Sequence, residues 1–159
     1  MKKFANLNVD FRDKIVLLDV DGTLIGDSMV NFADDVLEKI TEMKKLNIVY
    51  LCTNSSDKKR NVVVEENLGV KIINLVNKKP SKKIWQEIAA KHGEINSSKV
   101  IVIGDKFLTD GLFAKKICAK FIKVGRVTSG NERIYIKLFN IVDDFAYNII
   151  KFISFKNGI

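Results

Sequence analysis

Two carboxylates two positions apart, Asp19 and Asp21, follow directly on the apolar run Ile15-Val16-Leu17-Leu18, and Gly22-Thr23 completes the segment. A carboxylate leaving a buried strand can attack an electrophile, carry protons or hold a cation. Other apolar runs also end in polar residues: 48–52 in Thr53-Asn54-Ser55-Ser56, 72–76 near Lys79-Pro80, and 100–103 in Gly104-Asp105, with Asp110 five residues on. A lone aspartate after a strand is ordinarily a helix cap or a turn residue. Several polar exits on one chain point instead to a shared site, because open α/β sheets bind ligands beyond the carboxyl ends of their strands. Aspartates converging there from separate strands would repel one another unless a cation stood among them. Hard carboxylate oxygens, with no histidine or cysteine beside the aspartates, favour Mg2+ and leave positions for a phosphate oxygen.

The elements that must position these residues follow from periodicity. Short apolar runs at 15–18, 48–52, 72–76, 100–103 and 121–124 alternate with amphipathic stretches near 30–46, 57–68, 81–92 and 108–118. That pattern predicts one α/β domain over 1–159, a doubly wound, Rossmann-like parallel sheet of about five strands flanked by helices. Gly69 and Gly93 are the expected helix stops, and Pro80, the only proline, is expected to open the third helix. From 131 to 155 the spacing predicts an additional C-terminal amphipathic helix, with Ile134, Leu138, Ile141, Phe145 and Ile149 on one stripe. The ordinary reading packs this stripe on the sheet. A membrane surface or a subunit interface is the alternative, and the aromatic residues Tyr135, Phe139, Phe145 and Tyr147 suit it slightly better.

Composition sets the bounds. With 159 residues, 47% of them apolar and 29% charged, the chain can bury a core, and its apolar runs are far too short to span a bilayer. The net charge of +8 favours anionic partners. The lysines are scattered singly and in pairs without an arginine-rich arm, so nucleic acid is not expected. Cys52 and Cys118 read as reduced, buried packing residues, and His92 as a helix-end residue.

Taken in order, Asp19-Val20-Asp21-Gly22-Thr23, Thr53, Lys79, and Gly104-Asp105 with Asp110 resemble the four motifs of haloacid-dehalogenase-like (HAD) phosphatases, over nearly the whole chain. The resemblance implies Asp19 as the nucleophile that forms an aspartyl phosphate, and Asp21 as general acid and base with its main-chain carbonyl on the metal. It implies Thr53, with Asn54 or Ser55 beside it, as a phosphate contact, and Lys79 as the charge neutraliser. Asp105 would complete the Mg2+ shell with Asp19, and Asp110 would support that loop from behind.

Only 34 positions separate Asp19 from Thr53 and 26 separate Thr53 from Lys79, so no cap domain fits at either place. Within the capless group, Gly104-Asp105-Lys106-Phe107-Leu108-Thr109-Asp110 and Asn77-Lys78-Lys79-Pro80-Ser81 resemble the phosphatidylglycerophosphate phosphatases of the bacterial and yeast mitochondrial type. Gly22 departs from that group, which commonly has Asn there. The resemblance implies an anionic phospholipid substrate. The charge of +8 and the aromatic tail suit peripheral membrane contact, and Asp10 and Asp13 among the amino-terminal basic residues favour the bacterial cytoplasm at the inner membrane over the alternative, the mitochondrial matrix. A soluble sugar phosphate handled by an oligomer is the second reading. A phosphoacceptor receiver module is a third, disfavoured because the exit of the run at 72–76 carries no acid.

Overall fold

The computed structural model describes residues 1–8, 11–73, 76–93 and 96–156. Four strands, β1 (Ile15–Leu18), β2 (Ile48–Leu51), β3 (Val100–Gly104) and β4 (Lys120–Lys123), form one sheet in the order β2-β1-β3-β4. All pairings are parallel, with Leu18 opposite Leu51 on one side and Ile103 on the other. β1 and β3 are the central pair, and every residue of both is buried, as strands covered on two faces require.

Successive side chains of a strand point to opposite faces, and the core divides accordingly. Val16, Leu18, Ile101 and Ile103 pack with helices α1 (Asp34–Leu46) and α2 (Lys58–Leu68) through Ile40, Met43, Val64 and Leu68. Ile15, Leu17, Val100 and Val102 pack with α3 (Lys83–His92) and α4 (Leu112–Lys116) through Ile84, Ile88 and Phe113. The sheet is therefore doubly wound, and all its strands deliver their carboxyl ends to one edge. Between Asp19 and Lys79 the described residues form α1, β2, α2 and loops, with no inserted lid.

Several expectations are corrected. The described residues hold four strands: the run at 72–76 contributes a single bridge from Ile72 to Leu51, while Asn74 and Leu75 lie outside the described residues. Pro80 lies in the turn before α3 and does not open it. The stretch near 108–118 divides into a π-helical turn, Phe107–Gly111, and the short α4. Cys118 is exposed, whereas Cys52 is buried, and burial pushes its thiol up to about 12.

The largest correction concerns α5 (Ile134–Lys156). Its apolar stripe does not pack on the sheet. Ile134, Leu138, Ile141 and Phe145 are 77%, 58%, 65% and 67% exposed, while the inward face carries Asn140 and Asp143. The physical reason is electrostatic. Asp143 accepts hydrogen bonds from the main-chain N–H groups of Phe107 (3.0 Å) and Leu108 (2.6 Å), and Lys123 Nζ lies 2.8 Å from it. Free N–H groups at the start of the π-helical turn and a buried lysine require an acid, and the polar side of α5 supplies it.

Candidate active site

The turn after β1 is built around Thr23. Asp19 N donates to Ile103 O at 2.9 Å, carrying the β1–β3 pairing one residue beyond the strand. Thr23 Oγ1 donates to Asp19 Oδ2 at 2.9 Å and accepts from Asp105 N at 3.0 Å, joining the exits of β1 and β3 inside the protein. Gly22 makes this approach possible. Its φ is +84°, and a Cβ there would stand 2.7 Å from Asp105 Oδ2. Gly104 has the same role at the end of β3, since a Cβ on it would overlap the Asp110 carboxylate at 2.3 Å.

Lys79 enters from the loop before α3 and is 5% exposed. Its ammonium donates to Asp19 Oδ1 at 2.6 Å and to Asp110 Oδ1 at 2.5 Å. Burial opposes the charged form of this lysine, but Asp110 and Asp19 outweigh it and raise its proton affinity above the ordinary lysine range. One cation between buried carboxylates leaves an acidic excess. Burial and the Asp19 charge push Asp110 up to about 7 against the pull of Lys79. Burial likewise raises Asp105, opposed by Lys106.

Asn54, expected to touch phosphate, lines the cavity and also braces Lys79. Its Oδ1 accepts from Lys79 N at 2.7 Å and its Nδ2 donates to Lys79 O at 3.1 Å, so both ends of the amide are committed to one residue's main chain. Thr53 is buried beside it, donating through Oγ1 to Asp21 Oδ2 at 3.1 Å.

Asp21 has a further partner that sequence reasoning missed. Arg60 grips its carboxylate with a two-pronged contact, Nη2 to Oδ1 at 2.8 Å and Nη1 to Oδ2 at 3.2 Å, while Arg60 Nε donates to Met29 O at 2.9 Å. In the sequence Arg60 follows Lys58-Lys59 and reads as one more surface charge. A usable signal exists, because Arg60 lies four and eight residues before Val64 and Leu68, in phase with the buried side of α2.

Two more unforeseen cations hold the exit of β3. Lys123 Nζ donates to Asp105 O at 2.6 Å, and Arg126 Nε donates to Asp105 Oδ2 at 2.7 Å while its Nη1 reaches Asp144 of α5 at 3.1 Å. The acid set fits a hard divalent ion. Carboxylate oxygens of Asp19, Asp105 and Asp110 lie within 4.8 Å of one another. Lys106 Nζ stands 3.4 Å from both the main-chain oxygen of Asp21 and Asp105 Oδ1, so positive charge already rests against two of the oxygens expected to ligate Mg2+.

Asp19, Asp21, Asn54 and Lys79 line a cavity of about 580 Å³ together with Tyr135, Ile136 and Phe139 of α5. A buried carboxylate held on both oxygens, a second carboxylate at the cavity wall and a cluster of lysines suit attack on a phosphoryl group.

No curated protein matches the chain. An uncharacterized protein from Listeria monocytogenes serotype 4b shares the fold at a TM-score of 0.55 and 19% identity, over 76% of this chain and 84% of that one. A candidate HAD-hydrolase from Bacillus subtilis, YfnB, in a magnesium-bound form, matches at 0.55 and 11% over 70% and 86%. The core domain of a candidate phosphoglycolate phosphatase from Streptococcus pneumoniae matches at 0.51 and 20% over 78% and 89%. At these identities the likeness is one of fold, that of the HAD-like hydrolases. A family profile, that of mitochondrial PGP (phosphatidylglycerophosphate) phosphatase, matches residues 1–126, from the first residue to the arginine that grips Asp105, and the chain belongs to that family of phosphatases.

Proposed function

We propose that this protein is a Mg2+-dependent phosphomonoesterase that removes the terminal phosphate of phosphatidylglycerophosphate through an aspartyl-phosphate intermediate. The observation that carries the chemistry is the buried Lys79 ammonium shared between Asp19 Oδ1 and Asp110 Oδ1 at the exit of β1. The family match supports the substrate.

In this reading Asp19 attacks phosphorus, its carboxylate aimed by Thr23 on one oxygen and Lys79 on the other. The ester P–O bond breaks and the leaving oxygen takes a proton from Asp21. Asp21, now ionised, accepts a proton from water, and the water oxygen displaces Asp19 from phosphorus. The products are the alcohol and inorganic phosphate, with both aspartates restored. Arg60 fixes the Asp21 carboxylate in place and Thr53 donates to it, so Asp21 is held at the cavity wall through the cycle. Asn54 sets the position of Lys79 through its main chain. Asp19, the Asp21 main-chain oxygen and Asp105 would hold Mg2+, which supplies positive charge against the phosphoryl oxygens when bound.

The family description supports a mitochondrial location over the bacterial cytoplasm. Phosphate release from phosphatidylglycerophosphate in mixed micelles with Mg2+, run beside soluble sugar and nucleotide phosphates with Asp19→Asn as blank, tests the proposal. Turnover of the lipid that the blank lacks is the expected result. Turnover confined to soluble esters overturns the substrate and keeps the chemistry.

A further inference from the structure

We infer that the outward face of α5 is a docking surface for an anionic lipid bilayer, laid so that the catalytic cavity opens at the level of the headgroups. The inference rests on the proposed lipid substrate for its purpose, but its structural grounds are separate, and α5 lies beyond the residues matched by the family profile.

The first ground is that the helix is inside out by the standard of a core helix. Ile134, Leu138, Ile141, Phe145, Ile149 and Ile153 recur every three or four residues, and each is between 43% and 77% exposed. They trace one seam about 28 Å long at 1.5 Å per residue. The opposite side is fixed to the protein by Asp143 on Lys123 and by Asp144 on Arg126. With that side pinned by ion pairs, α5 cannot roll to bury its seam. No helix among the described residues is long and apolar enough to cross a membrane, so α5 would lie along the surface.

Continuity and charge identify the occupant. Tyr135 and Phe139, on the first turns of the helix, also line the cavity that holds Asp19, Asp21 and Lys79. Whatever covers the seam therefore lies beside the cavity. The net charge of +8 opposes self-association and favours an anionic surface. Lys137 and Lys151 on α5 are exposed, and Lys78 and Lys106 border the cavity.

The test is co-sedimentation of the full chain with vesicles of phosphatidylcholine alone and of phosphatidylcholine with one-third phosphatidylglycerol, for the wild type and for Leu138→Glu/Phe145→Glu. Neither substituted residue lines the cavity. The expected result is binding to the anionic vesicles that weakens as salt rises, and a loss of more than about ten-fold in the double variant. Circular dichroism melting and hydrolysis of p-nitrophenyl phosphate should be unchanged in that variant, which separates lost docking from lost folding. Undiminished vesicle binding by the variant overturns the inference. So does a wild-type dimer in sedimentation velocity that the variant abolishes, since the seam is then a subunit interface. Vesicle binding without turnover of phosphatidylglycerophosphate would sink the substrate and keep the docking surface, and turnover in micelles without vesicle binding would do the reverse.

Discussion

The sheet has a cavity at each end of its strands, of about 580 Å³ beyond the carboxyl ends and about 570 Å³ at the amino ends, and the two could hardly differ more in chemistry. The amino-end cavity is lined by Asp13, Lys14, Lys44, Lys45, His92 and Lys99, most of them exposed. Its residue Asn47 serves the main chain, donating to Phe11 O and Met43 O and accepting from Lys14 N. At the carboxyl end Asp19, Thr53 and Lys79 are buried and bonded mainly to other polar groups of the site. Charge withdrawn from water and held by other charge is costly to maintain, and it marks the working end where cavity size does not.

Substituting across this divide should give the largest contrast. Asp19→Asn keeps the shape and removes the nucleophile, and turnover should fall by at least about a thousand-fold. Asp13→Asn at the other end should leave turnover within about two-fold, because an exposed acid there touches no reacting group. Initial rates of phosphate release under saturating Mg2+ check both. A comparable loss from Asp13→Asn would erase the distinction between the two ends.

Arg60→Gln should come next, with a fall in kcat of roughly ten- to a hundred-fold and little change in KM, since Arg60 positions Asp21 and does not line up the nucleophile. A fall in kcat with KM and the thermal melt unchanged distinguishes lost positioning from a folding defect, because the guanidinium reaches Asp21 at 2.8 Å. An unchanged rate would reduce Arg60 to a packing residue.

The sequence made the carboxyl-end acids legible and left their cations obscure, for a physical reason. Asp19, Asp21 and Gly22-Thr23 act within a single turn, so local spacing carries them, and the central strands β1 and β3 stand out as unbroken apolar runs. Arg60, Lys123 and Arg126 act over 39, 18 and 21 residues of separation, where only the packed fold brings them to Asp21 and Asp105. Asn54 was legible as a site residue, but its bracing of the Lys79 main chain was not, because that partner lies 25 residues away. The stripe on α5 was legible as a stripe. Its direction was not, since periodicity gives an apolar face without saying that Asp143 and Asp144 on the other face have partners to bury against.

The buried acids at the carboxyl end predict a smaller, pH-dependent effect on stability. Asp105 and Asp110 bind protons more tightly in the folded chain than the ordinary carboxylate value of 3.8, Asp110 up to about 7. Between those values the native state holds more protons than the unfolded state, so stability should fall as pH rises toward 7. In the presence of a chelator, Tm should drop by several degrees from pH 5 to pH 7.5, and Mg2+ should restore most of the loss by supplying the missing positive charge. Asp110→Asn should flatten the chelated profile. A Tm that rises with pH in the chelated protein would mean that Lys79, Lys106 and Arg126 already neutralise the site.

The smallest effect belongs at the amino end, where Tyr50 Oη and His92 Nε2 lie 2.7 Å apart in an exposed pair and the rings meet edge to face at 5.7 Å. Tyr50→Phe removes the hydrogen bond and keeps the ring contact. Because water replaces the lost partner, the cost should sit near the low end of the usual range, about 0.5 kcal/mol, or a Tm shift of about one or two degrees. Turnover should not change. The variant is the more demanding test of the comparison because Tyr50 sits in β2 only three residues before Thr53, so any communication between the two ends would have a short path. A change in kcat of more than about two-fold from this substitution would show that the amino end contributes to the chemistry through β2, and the contrast between the two cavities would no longer hold.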